Sequence, residues 1–96
     1  MKTTIFAVTF AEINGGEMAT NAPILCSSFE MAVVEMLLDI EKQKMEAKQI
    51  DPNETYWVQI NLQRGTAKMV YDIEPNTNHK VWRIEKMEMD ISIIIE

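Results

Sequence analysis

Ninety-six residues with 47% apolar content describe one globular domain with a single modest core, not a disordered chain. Fifteen acidic residues against nine basic ones leave a net charge of −6, which disfavours a nucleic-acid binder that works through a basic stripe. The acids are interleaved with lysines, as on an ordinary solvated surface, so mimicry of a nucleic acid by charge is also disfavoured. No stretch approaches the roughly twenty apolar residues of a membrane helix, and one cysteine, Cys26, allows no internal disulfide and suits a reducing, cytoplasmic setting.

Lys2 to Glu12 reads as the first strand. Phe6, Val8 and Phe10 share one face, and Ile5, Ala7, Thr9 and Ala11 share the other. Both faces are apolar enough for a strand flanked by neighbours. The stretch superficially echoes a signal peptide, but Thr9 and Glu12 break the apolar run. Ile13 to Cys26 then reads as a loop, with turn chemistry at Asn14-Gly15-Gly16 and Ala22-Pro23. Its length predicts a binding loop or a mobile one.

Ser28 to Gln49 is the one segment long and periodic enough for a sizeable helix. Ser27 followed by Glu30 fits a capping box, the interior holds good helix formers, and Asp51-Pro52 stops the run. Phe29, Val33, Met36, Leu37, Ile40 and Ala47 form a broad apolar stripe at about 100° per residue. Met31, Val34, Leu38 and Met45 form a second stripe, roughly 120–180° around the helix. A single-helix fold offers that second stripe no obvious cover, and methionine is adaptable at interfaces.

After a turn at residues 51–54, Thr55 to Gln63 alternates. Tyr56, Val58, Ile60 and Leu62 lie on one face, with Trp57, Gln59, Asn61 and Gln63 on the other. A two-residue turn at Arg64-Gly65 leads into Thr66 to Glu74 and would set Leu62 opposite Ala67, Ile60 opposite Met69, Val58 opposite Tyr71 and Tyr56 opposite Ile73. Pro75 to Asn78 forms the next turn. The last strand starts near His79, with Tyr71 opposite Trp82 and Met69 opposite Ile84. Its alternation then changes phase between Ile84 and Met87, and a β-bulge at Glu85-Lys86 would bring Trp82, Ile84, Met87, Met89, Ile91 and Ile93 onto one face. From Met87 onward this strand outruns its hairpin partner, so the first strand or a second subunit must cover it.

The expectation is an α+β domain over residues 1–96: β-α-β-β-β, a four-stranded antiparallel sheet with one helix on one face. For chemistry, Cys26 and His79 are the nearest thing to a nucleophile and its base, and they fall in different loops. Glu85, Glu88 and Asp90 cluster on the last strand, where Lys86 shares a face with Glu88 and Asp90; a cation site wants more oxygen ligands in a cage. Phosphate-loop, dinucleotide and zinc spacings are missing. No catalytic, cofactor or metal residue is therefore assigned. Trp57 lies among amides on the sheet face away from the helix, a composition common in protein interfaces.

The reading that follows is a small, non-enzymatic interaction or regulatory domain that self-associates and has no nucleic-acid or membrane partner. In size and composition it resembles the short accessory proteins of bacteria and their phages. The candidate interface comprises Met31, Val34, Leu38, Met45, Trp57, Ile91 and Ile93. The alternative is a small-ligand binder with a Met-lined pocket between helix and sheet, followed by an enzyme built on Cys26.

Overall fold

Strand β1 (Lys2–Asn14) is the spine of the structure, a computed structural model that describes residues 2–14, 17–50, 52–53, 56–71 and 79–90. Along one edge it pairs antiparallel with β6 (His79–Asp90) through an unbroken ladder from Ile13↔His79 to Lys2↔Asp90. Along its other edge run β2 (Glu17–Thr20) and β3 (Ile24–Cys26). The sheet continues from β6 to β5 (Thr66–Tyr71) and ends at β4 (Tyr56–Asn61), giving the order β2-β1-β6-β5-β4. Helix α1 (Phe29–Ile50) packs on one face.

The expected α+β class therefore stands, with one helix on an antiparallel sheet, but the sheet has six strands rather than four among the described residues. The two extra strands come from the segment read as a loop. Glycines at 15 and 16 and the proline at 23 hid a chain that returns along β1, and its strands are too short to show an alternation. Five residues of the return strand, Thr20 to Ile24, span four of β1, Ala11 to Val8. One extra residue is the count of a β-bulge. The bulge expected at Glu85-Lys86 is absent, since Glu85 and Lys86 pair in sequence with Ala7 and Phe6. Met87 consequently points to the face away from α1 and is exposed.

Both hairpin registers differ from expectation. Tyr56 faces Tyr71, Val58 faces Met69 and Ile60 faces Ala67, a shift of two residues. Between β5 and β6, Ala67 faces Trp82 and Met69 faces Lys80, a shift of four. Each shift is even, so Tyr56, Val58, Ala67, Met69 and Trp82 keep the inward face, whereas Leu62, expected opposite Ala67, falls in the turn and is exposed. The β4–β5 turn spans residues 62–65 instead of two. Asn61 Oδ1 accepts the Arg64 amide at 3.1 Å, and Gly65 takes a φ of 65°. Ile73, placed opposite Tyr56 by the sequence, lies outside the described residues.

The core between α1 and the sheet holds Val8, Cys26, Ala32, Met36, Ile40, Ala67, Met69, Trp82 and Ile84, flanked by Phe6, Phe10, Phe29 and Val33. Phe6 meets Phe29 edge-on, with centroids 6.0 Å apart, and Phe10 lies 5.3 Å from Trp82. The helix cap is Ser28, not Ser27: Ser28 Oγ accepts the Met31 amide at 3.1 Å. The seam also takes in Ala32 and Gln43, which the apolar stripe omitted.

Candidate functional surfaces

Two polar bonds orient the helix on the sheet. Lys80 Nζ donates to Gln43 Oε1 at 2.7 Å, and Trp82 Nε1 donates to Asp39 Oδ2 at 2.7 Å. Lys80 and Gln43 are both buried, and among the described residues no buried side-chain nitrogen or oxygen lacks a hydrogen-bond partner. The signal for Lys80 was present in the sequence, because it shares the inward parity of Trp82 and Ile84.

With its inner face committed to the core, α1 turns its second stripe outward. Met31, Val34, Leu38 and Met45 are each between 54% and 64% exposed. Trp57 is 48% exposed on the opposite face of the sheet, where it faces Val70 across the β4–β5 ladder. Val70 is buried between Trp57 and His79 in the register, so part of the indole packs across strands. At the outer edge the two candidate surfaces meet. A groove of about 550 Å³ between the second half of α1 and β4 is lined by Glu41, Lys44, Met45, Lys48, Tyr56, Trp57 and Val58. Met31, Val34 and Leu38 do not reach it. Ile91 and Ile93 lie outside the described residues.

A larger concavity of about 830 Å³ occupies the sheet face away from α1. Thr9, Ala11, Thr66, Lys68, Arg83 and Glu85 contribute to its walls, as do Asn21 and Pro23 of the bulged return strand. The long apparent loop thus forms one rim of a trough of mixed polar and apolar lining. No methionine lines it.

The Cys26–His79 pair is not brought together. Cys26 pairs with Phe6 and His79 with Ile13, seven residues along β1, or roughly 23 Å at strand spacing. Cys26 is buried, and that burial pushes its thiol pKa up, assisted by the negative charge of Glu35. Glu85 shares its face with Arg83, their charged groups 3.8 Å apart. Among the described residues no three His, Cys, Asp or Glu side chains converge as metal ligands, and no helix is long and apolar enough to cross a membrane.

Comparison with protein families, curated proteins and solved structures finds no match to this chain. Its function must be argued from the surfaces themselves.

Proposed function

We propose that the chain is a small interaction or regulatory accessory domain that acts by binding protein, its own copies included, and carries out no chemistry. The observation that carries this reading is the outward stripe of α1. Four large apolar side chains on one helix face are more than half exposed, while the helix already has a complete buried face. Apolar side chains gathered on one exposed helix face mark interaction surfaces. The buried thiol with its raised pKa, far from the histidine, supports a non-catalytic role, and a single reduced cysteine suits a cytoplasmic setting.

Substituting Leu38→Glu together with Met31→Glu tests it. Both positions are exposed, so the thermal midpoint of the isolated chain should move little. Association, followed by light scattering and by capture of partners from extract, should weaken at least roughly tenfold, as when a central apolar contact is lost. Unchanged association in this variant and in Trp57→Ala would reject both surfaces.

The groove between α1 and β4 favours a second reading, a site for a small ligand held between helix and sheet, although Met45 is the one methionine in its lining. A metabolite that raises the melting temperature of the parent chain but not of Trp57→Ala would select it.

A further inference from the structure

Beyond Ile84 the structure narrows to a two-stranded arm, Lys2 to Ile5 paired with Met87 to Asp90. Lys2, Thr4, Glu85, Lys86, Met87 and Glu88 are all exposed. Among the described residues neither outer edge of this arm is paired: β5 reaches β6 only as far as Arg83, and β3 reaches β1 only as far as Phe6. A lone two-stranded ribbon is marginal in water, and an open strand edge is a template for another strand. We propose that the Glu85–Met89 edge pairs antiparallel with the same stretch of a second copy, with Met87 on the two-fold axis. This inference rests on the self-association proposed above and locates it.

Three constraints select that register. The first is the phase of the backbone. The Ile84 amide donates to Gly65 O at 2.7 Å on the β5 side, so the even-numbered residues of β6 direct their N–H and C=O groups toward the open edge. An antiparallel partner must therefore set even residues against even ones, which leaves Lys86, Met87 or Glu88 as the central residue. The second is space. Centring on Lys86 would drive the partner strand past Ile84 into the edge that β5 already holds. The third is charge. Centring on Lys86 sets two ammonium groups face to face, and centring on Glu88 sets two carboxylates face to face, both destabilising.

With Met87 at the centre, Lys86 faces Glu88 of the second copy, and the symmetry makes this pair twice, each as a hydrogen-bonded pair of the ladder. On the opposite face Met87 meets its own copy. Since Ile5 pairs with Met87 within each chain, an apolar row Ile5–Met87–Met87–Ile5 crosses the four strands. Partner residue 89 then falls opposite Glu85, the first residue of the open edge beyond the Ile84 amide that Gly65 holds. Charge and apolar surface agree on one register. The even phase also places both copies of α1 on the same side of a continuous sheet, leaving their outward stripes accessible.

The test uses the full chain and light scattering over a concentration series. Wild type should pass from 11.1 kDa to twice that mass. Lys86→Glu and Glu88→Lys should each weaken dimerisation roughly tenfold or more, and the double variant should restore it. These side chains are exposed, so unchanged circular dichroism serves as the folding control. Met87→Cys in a Cys26→Ala background should cross-link into dimers under mild oxidation, because facing residues of a non-hydrogen-bonded pair lie within disulfide reach, whereas Glu88→Cys should not. A wild type that stays at 11.1 kDa overturns the pairing and the self-association together. A dimer indifferent to both charge reversals, or one that the double variant fails to restore, overturns the pairing and leaves self-association standing.

Discussion

At Gly65 two separate demands fall on one position. Its φ of 65° lies in the left-handed region, and a Cβ there would stand 2.9 Å from Ile84 Cβ and 3.0 Å from the Phe29 ring. Gly65→Ala should therefore cost about 2–4 kcal/mol, from the backbone penalty and the forced repacking together, read as a fall in the urea midpoint. Cys26 gives a pH signature. Its thiol pKa is raised in the folded state above an ordinary value of 9.0, chiefly by burial. The folded chain thus holds the proton longer than the unfolded one, so this contribution is intact below pH 9 and is lost as pH climbs through the folded value. Denaturation midpoints measured between pH 7 and 10.5 should fall more steeply for the parent than for Cys26→Ala. An equal slope would mean that the thiol titrates alike in both states. At neutral pH the native thiol should react slowly with alkylating agents.

At the level of elements, the helix interface is partly polar, and that is testable through Gln43. Gln43→Leu removes one 2.7 Å acceptor from the buried Lys80 ammonium and should cost about 1 kcal/mol by thermal unfolding, despite adding apolar surface. A neutral or stabilising result would mean that the seam tolerates plain packing there. Elements and faces were legible in the sequence where periodicity was strong: α1, the alternation of β4, β5 and β6, and the division of the helix into inner and outer stripes. Registers were not, for a physical reason. The side-chain period of a strand is two, so slips of two and four residues leave Val58, Met69 and Trp82 on the same face and cost the pattern nothing. Turn length decided instead, through Asn61 and Gly65. The phase change in the last strand implies a bulge only for a strand whose apolar face is continuous along its length. In fact the sheet outruns its helix at Ile84, and beyond that point the better-covered face is no longer the helix side. Of the candidate surfaces, the outward stripe and Trp57 were legible from periodicity alone. The trough was not, because its rim depends on β2 and β3.

The whole molecule measures 55 × 25 × 22 Å with a radius of gyration of 16.0 Å, well above the about 12–13 Å of a compact chain of this length. The long β1–β6 ribbon sets the long axis. Protection against hydrogen exchange should follow the same plan. Amides of β1 between Phe6 and Val8, flanked by β3 and β6, should exchange slowest, while β4 and the Lys2–Ile5 arm should exchange first. Faster exchange at Phe6–Val8 than in β4 would contradict the strand order. That order has a consequence for how the chain acquires its shape. β6, the last strand in chain order among the described residues, lies between β1 and β5 and joins the two halves of the sheet. Until a ribosome has released residues 79–90, the β1–β2–β3 unit and the β4–β5 hairpin have no strand in common, and Trp82 is not there to anchor α1. The nascent chain must wait with its apolar faces uncovered and then close in one late step, over sequence separations that make folding slow.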